Sequence, residues 1–295
     1  MITSSLFTPP SNFYLNIAFV VAMSDRIVEW YDFGYCVGFE VCERIMRLKS
    51  KYQEIEIYST KNFGKILLID KKIQLVEAFE PMYHEALVHP AMILHPTPRN
   101  VLIIGGGDGG AVREVLKHSS VESCLLVEID NEVIGACKKH LGIDSGALDD
   151  PRVRIVCTDG FSYIKGCADE NKKYDVIIVD STDPIGHAAS LFSPEFYAAC
   201  ARVAPIIATQ SGPALFNAKS LATVVTSVNN AYENTRVYIA CVIGYAPPWS
   251  FVLGWRGNMN FDINRLSKIR THYVDSENVE CMFKIPPALR KELPR

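Results

Sequence analysis

An apolar strand running straight into a glycine turn, with a carboxylate inside the turn, constrains this chain more than any other feature. The segment is VLIIGGGDGG, from Val101 to Gly110. Gly105, Gly107 and Gly110 fit the glycine fingerprint of a nucleotide-binding strand–turn–helix unit. Such turns bring backbone N–H groups up to a pyrophosphate at the helix N-terminus, and an anion placed there repels one. Asp108 therefore points to a nucleoside that carries positive charge and no phosphate. A sulfonium nucleoside of the S-adenosylmethionine type fits. A dinucleotide-dependent dehydrogenase, which the glycines alone would allow, is disfavoured by the same carboxylate.

The sequence around the turn reads as α/β. Four apolar runs follow one another at strand–helix spacings: VLII (101–104), CLLVEID (124–130), VRIVCTDG (153–160) and YDVIIVDSTD (174–183). An acid stands at or just past the C-terminal end of each, namely Asp108, Glu128, Asp159 and Asp180. Ligands of open α/β sheets bind at the carboxyl ends of strands, so the four groups are expected to converge on one crevice. Glu128 lies about 20 residues beyond the turn, where an acid grips both ribose hydroxyls of a nucleoside. Asp159-Gly160 is placed to accept from an adenine amino group. Any one of these acids also fits a solvated strand end or a helix cap; the ordered set favours a shared site.

GGGDGG with Arg113-Glu114 behind it, followed by VEID, TDG and DSTDPIG, resembles the spermidine synthase family of polyamine aminopropyltransferases. The likeness extends upstream through KYQEIEIYSTKNFGKILLIDKKIQL (51–75) and MYHEALVHPAMILHP (82–96). It runs in matching order and spacing from Lys51 to Gln210. It implies a Rossmann-like, methyltransferase-type α/β domain with a small N-terminal antiparallel β domain, assembled as homodimers or homotetramers. It also implies transfer of an aminopropyl group from decarboxylated S-adenosylmethionine to an amine, with release of methylthioadenosine. The donor is a co-substrate; no metal or other cofactor is expected.

The chemistry has two halves. Polyamine nitrogens are protonated near neutrality, with lysine-like pKa values of about 10. Attack on the carbon beside sulfur needs one nitrogen stripped of its proton next to a second cation, the sulfonium. A carboxylate cluster both holds the cations and takes the proton. On the resemblance, Asp180 is the general base and Tyr83 orients the attacking nitrogen. Asp183 lies in the loop that closes over the substrates and, with His84, Asp108, Asp180 and Trp249, faces the acceptor. Gln53 and Gln74 hold the donor from the N-terminal side, together with Glu128, Asp159, Gly160 and His187. Asp108 pairs with the amine ending the donor's aminopropyl tail. Intact S-adenosylmethionine has a carboxylate there, which Asp108 disfavours.

Three departures bear on the acceptor. His187 stands where the family loop, D-S-S-D-P-x-G-P, has its second proline; it loosens the loop and adds a group that titrates near neutrality. Glu77-Ala78-Phe79-Glu80-Pro81 replaces an E-R-D-E-F segment, so an aromatic takes the place of the middle Asp. Trp249 of PPWS (247–250) falls where putrescine-using members carry the Tyr of P-T-Y-P. These changes remove polar anchors for a short diamine. QSGPALF (210–216) and Gly254-Trp255 look more like thermospermine synthases and archaeal-type relatives. Putrescine, agmatine and spermidine all stay open as acceptors. The rival functions are an amine N-methyltransferase on the same scaffold and an inactive nucleoside-binding relative. The set Tyr83-His84, Asp108, Asp180 and Asp183 favours aminopropyl transfer.

Composition sets outer bounds. The 295 residues carry a net charge of −3 and no basic stretch, which argues against a nucleic-acid partner. Nine cysteines form no CxxC pair, so reduced thiols and a cytoplasmic setting are expected; Cys36 and Cys42 would pair only in an extreme thermophile. His89, His95 and His118 have no ligand-like spacing and read as structural or surface residues. No zinc or magnesium pattern is present. Phe13 to Ala22 is too short to span a membrane and no basic residue precedes it as a secretory signal requires. Residues 1–22 read as an extension or a mis-assigned start, with one extra strand as the alternative. Residues 23–80 read as the β domain, with turns near Lys61-Asn62 and Asp70-Lys71. Residues 81–295 read as the Rossmann-like domain, with a helix near 220–233 and a polar tail from Phe261.

Overall fold

The computed structural model describes residues 26–182 and 186–294. The expected N-terminal extension, Asp183 and the side chain of His187 lie outside the described residues. An antiparallel meander opens the chain: β1 (Arg26–Trp30), β2 (Cys36–Lys49), β3 (Glu54–Thr60), β4 (Lys65–Ile69) and β5 (Lys72–Val76), paired in that order. Asp70 and Lys71 form the β4–β5 turn with φ of 48° and 66°. Two successive positive φ values are what a tight hairpin turn demands. The sheet is covered on both faces. Ile55, Ile57, Leu67 and Leu75 pack with Val133, Ala136 and Cys137, while Ile66, Leu68 and Ile73 join the main core.

Helix α1 (Glu80–Leu94) links this sheet to a second, seven-stranded one. Its strands are β6 (Asn100–Gly105), β7 (Ser123–Glu128), β8 (Val153–Cys157), β9 (Val176–Asp180), β10 (Ile206–Pro213), β11 (Asn234–Ala240) and β12 (Trp249–Trp255). The order across the sheet is β11-β12-β10-β9-β6-β7-β8. The five strands from β10 to β8 are parallel, and β12 and β11 close the edge antiparallel. Alternate residues of β6 face opposite sides, as strand geometry requires. Val101 and Ile103 enter the core with α1 and α2 (Gly110–Leu116). Leu102 and Ile104 enter the core with α4 (Gly160–Asp169), α5 (Pro194–Val203) and α6 (Ala218–Ala231). Helix α3 (Asn131–His140) supplies Val133, Ala136 and Cys137 to the N-terminal sheet.

The C-terminal segment is more deeply built in than its polar sequence implies. It holds α7 (Val279–Met282) and α8 (Pro287–Glu292), and Val274, Val279 and Met282 are buried against the α1 core. The fully buried carboxylate of Glu85, in α1, accepts hydrogen bonds from the backbone N–H groups of His272, Tyr273 and Val274 at 2.8, 2.7 and 2.9 Å. Polar sequence hid this tie because the partner of a run of backbone donors lies 187 residues away. All nine cysteines are free thiols. Cys36 and Cys42 sit six residues apart on one strand, roughly 20 Å at strand rise, far beyond disulfide reach.

Candidate active site

Strand order reverses at β6: β7 and β8 lie on one side of it, β9 and β10 on the other. A crevice therefore opens at the carboxyl ends of β6 and β9. Gly105 and Asp180 are direct register partners there. Gly105 has φ of 80°, and a Cβ on it would lie 2.1 Å from the carbonyl oxygen of Asp180. Only glycine fits. The resulting cavity encloses about 1160 Å³ including its open mouth.

Acids and amides predicted for the site do converge on this cavity. Asp108, Glu128, Asp159, Asp180, Gln53, Gln74, Gly160 and Trp249 all line it, as does Tyr83. Asp159 is also a helix cap, accepting from the Ser162 N–H at 2.8 Å. The helix-cap reading of that strand-end acid is therefore met, and its place on the cavity wall leaves its second oxygen for other partners. Burial pushes Glu128 up to about 7, against hydrogen bonds from the backbone of Asp130, Ile129 and Gly107. The Gln53 amide donates to Asp130 at 3.0 Å, and Ser50 donates to the same oxygen at 2.6 Å. Asp130 caps α3 with its other oxygen, so one carboxylate ties the N-terminal sheet to the β7–α3 side of the cavity.

His84, Asp108 and Asp180 form a largely buried cluster. Tyr83 donates to Asp180 Oδ1 at 2.9 Å. Asp180 Oδ2 is buried with no hydrogen-bond donor among the described residues, and His84 Nε2 lies 3.9 Å away. His84 does not line the cavity; it lies behind it, almost fully buried. Its Nδ1 meets Glu80 at 2.6 Å and its Nε2 meets Asp108 at 3.3 Å. Arg113 grips both oxygens of Glu80 at 2.8 and 2.9 Å. Charges alternate along this string: Arg113, Glu80, His84, Asp108. A Cβ on Gly110 would fall 2.3 Å from the His84 ring, so this glycine makes room for the imidazole.

Electrostatics separate the two aspartates. Burial works against charge on His84, but Asp108 and Glu80 outweigh it and hold the imidazole well above its usual range. Burial likewise opposes ionisation of Asp108, and the His84 cation outweighs it, aided by the Gly110 N–H and Arg113. Asp180 goes the other way. Burial and the neighbouring Asp108 charge push it up to about 6, with His84 and Tyr83 partly offsetting them. Burial, then the Asp180 charge, raises Tyr83 well above the usual phenol, so it stays a hydrogen-bond donor.

One nitrogen of His84 and one oxygen each of Asp108 and Asp180 lie within 4.8 Å of one another, a donor set of the kind that holds metals. Sequence spacing could not see it, because α1, the glycine turn and β9 each supply one member. With carboxylates on both ring nitrogens, a protonated His84 has no lone pair to offer a metal.

Several cavity residues carried no signal of their own in the sequence. Gln210 donates to the carbonyls of Ser181 and Thr182 at 3.1 and 3.4 Å and fixes the chain just past Asp180. Tyr245 donates to the Gln74 carbonyl and packs between Tyr83 and Trp249, with ring centroids 5.7 and 4.7 Å away. Glu29, Tyr31 and Lys72 bring the N-terminal sheet to the cavity wall. Lone residues on edge strands have no spacing that marks them.

The switch-point crevice and the aspartate pair sit at the strand ends of a Rossmann-like α/β sheet. Residues 80–265 match the spermine/spermidine synthase domain, and residues 28–77 match the spermidine synthase tetramerisation domain. A polyamine aminopropyltransferase from Pyrococcus abyssi (strain GE5 / Orsay) is 44% identical over 280 residues, covering 91% of this chain and 99% of its own. Another, from Thermococcus onnurineus (strain NA1), is 42% identical, covering 91% and 96%. A crystal structure of spermidine synthase from Thermotoga maritima superposes with a TM-score of 0.85 at 33% identity, covering 91% of this chain and 94% of that one. A spermidine synthase in complex with the transition state analogue AdoDATO gives a TM-score of 0.86 over the same shares. The chain belongs to the spermine/spermidine synthase family.

Proposed function

We propose that the protein is a polyamine aminopropyltransferase, moving the aminopropyl group of decarboxylated S-adenosylmethionine to an amine and releasing methylthioadenosine. The observation that carries this reading is the Asp108–Asp180 pair: one carboxylate held ionised inside the glycine turn, the other raised and backed by a tyrosine hydroxyl. The relatives' shared description supports it.

Glu128 receives the ribose hydroxyls and the Asp159-Gly160 end takes the adenine. Asp108 pairs with the ammonium of the donor tail. A nitrogen of the acceptor then attacks the carbon beside sulfur. The new N–C bond forms as the C–S bond breaks, and its electron pair returns to sulfur, leaving a neutral thioether. The nitrogen's proton passes to the carboxylate of Asp180, a cavity-lining residue whose Oδ2 has no hydrogen-bond donor among the described residues. A base raised to about 6 takes a proton more readily than an ordinary aspartate while remaining mostly ionised near neutrality. Tyr83 holds the other oxygen and fixes the carboxylate plane.

Putrescine, agmatine and spermidine remain the candidate acceptors. The N-terminal sheet, by its match to a tetramerisation domain, supports a homo-oligomer, dimer or tetramer. Among the described residues no helix is long and apolar enough to cross a membrane, and a cytoplasmic setting goes with the proposed polyamine chemistry as part of the same reading. The test is product analysis: the protein with decarboxylated S-adenosylmethionine and, separately, putrescine, agmatine, cadaverine and spermidine. Methylthioadenosine release with at least one amine is expected. Productive use of intact S-adenosylmethionine instead, giving a methylated amine, would overturn the reading.

A further inference from the structure

Behind the cavity wall, the guanidinium of Arg113 is held from three directions. Nη1 and Nη2 grip the two oxygens of Glu80 at 2.8 and 2.9 Å. Nη1 also donates to the Ile143 carbonyl at 2.6 Å, and Nε donates to Glu114 at 2.8 Å. Glu114 is fully buried and is met by Lys117 at 2.6 Å. A planar fork pinned at this many points has little freedom to turn. Glu80 inherits that rigidity, and its Oε2 meets His84 Nδ1 at 2.6 Å.

Glu80 opens α1 and His84 stands one turn further on, so the two side chains are neighbours on the helix. An ionised carboxylate can only accept, so this bond uses a proton on Nδ1. Burial works against charge on Glu80, but His84 and Arg113 outweigh it and hold the carboxyl below its usual range. The groups facing His84 are Glu80 and Tyr83 on its own helix, Asp108 in the glycine turn and Asp180 at the end of β9. With Nδ1 committed to Glu80, Nε2 is turned toward two carboxylates, Asp108 at 3.3 Å and Asp180 at 3.9 Å. A bare lone pair there repels both of them, and a second ring proton attracts both. The orientation of the ring therefore decides its charge.

We propose that Glu80 and Arg113 are positioning residues for the transfer reaction: they fix the Nδ1 proton of His84 and aim its Nε2–H at the two aspartates. Neither residue lines the cavity, and both act through His84. The inference rests on the aminopropyltransferase reading for the role of Asp180 alone. It accounts for two neighbouring carboxylates kept in different states. The ring lies nearer Asp108, so its proton favours charge there first and leaves Asp180 the more basic of the two. An ion pair that merely joined α1 to α2 would stabilise the fold and leave this division untouched.

Nitrogen NMR on the full-length protein, labelled with 15N at histidine, reads the ring without requiring turnover; His84→Asn identifies its signals. Wild-type His84 is expected to carry both ring protons at pH 7. Glu80→Gln is expected to bring the loss of the second proton down by about 1–3 pH units, the scale for removing an adjacent opposite charge. A ring that is neutral in wild type, or unmoved in Glu80→Gln, would overturn the proposal. The acid limb of turnover gives a second readout, because the two explanations move it in opposite directions. Removing a negative charge that acted on Asp180 directly lowers the limb, whereas loss of the His84 proton raises it. A rise is expected, read as about threefold lower turnover at pH 6 relative to pH 8, and a fall would overturn the proposal. In a His84→Asn background Glu80→Gln should move the limb no further; an undiminished second shift would show that Glu80 does not act through His84. If Glu80→Gln does not fold, Arg113→Lys decides in its place: it keeps the charge and gives up the two-point grip, so ring and limb should move the same way by less. Both unmoved would overturn the proposal. Absence of methylthioadenosine release by wild type with every amine removes the assigned reaction, and the ring titration then decides the placing of the His84 proton by itself.

Discussion

Tyr83 and Asp180, 97 residues apart in the chain, share a buried hydrogen bond of 2.9 Å to Oδ1, while Oδ2 has no hydrogen-bond donor among the described residues. Replacing Asp180 with Asn keeps the shape and removes the proposed base. Turnover is expected to fall by at least about 100-fold, the usual scale for a lost general base. Binding of methylthioadenosine should largely survive. Calorimetry and single-turnover kinetics on the same preparation check both halves; a variant retaining wild-type turnover would remove Asp180 from the chemistry.

The raised Asp180 sets the acid side of the pH profile. Above about 6 the carboxylate is ionised and able to accept; below that it is protonated, and with Asp180 as the proposed base activity is expected to fall. The acid limb of turnover under saturating substrates should therefore lie near pH 6. The His84 cation lowers the Asp180 pKa, so its removal raises it. His84→Asn is predicted to move the limb toward higher pH, and a limb that moves down or stays fixed would contradict the assigned charge on His84.

Asp108 is predicted to govern which sulfonium donor is accepted. Asp108→Asn removes the charge that favours an ammonium-ended tail and repels a carboxylate-ended one. Like-charge contacts cost up to several kcal/mol, so the preference for decarboxylated donor over S-adenosylmethionine should shrink by about tenfold or more. Competitive displacement by the two nucleosides measures this directly.

Glu85 makes a prediction about stability rather than chemistry. Glu85→Ala removes the acceptor of the backbone donors of residues 272–274, of which Val274 is buried. An unsatisfied buried donor costs about 1–3 kcal/mol, and the loss loosens the C-terminal segment. A lower denaturation midpoint is expected, with hydrogen exchange accelerated at 272–274 and on α1. Unchanged exchange there would show that the tie is dispensable.

Much of this site can be read without coordinates. Strand-end acids announce themselves because each follows a short apolar run, and a parallel sheet carries all such ends to one edge. Asp108, Glu128, Asp159 and Asp180 were legible for that reason. Tyr83 and His84 gained meaning only from the family resemblance, since α1 precedes the first strand of the sheet and no spacing rule ties it to β9. Even then, the position of His84 behind the wall was hidden: it depends on the missing side chain of Gly110 and on the Arg113–Glu80 pair beneath. Tyr245, Glu29 and Lys72 were silent, because a residue on a loop or an edge strand acquires its partner only when two sheets meet. The buried Glu85 and the C-terminal segment were silent too, for the related reason that a backbone donor looks the same at every position of a sequence.

Gly105 and Asp180 are neighbouring rungs of one parallel ladder, and this has a consequence for how the enzyme can diversify. The distance from the glycine turn to Asp180 is set by main-chain hydrogen bonds, which side-chain replacements do not lengthen or shorten. Tyr31, Lys72, Tyr245 and Trp249 come from other parts of the fold, and each can be exchanged without moving that ruler. New amines can therefore be admitted by redecorating the walls while the point of bond formation stays where the backbone put it.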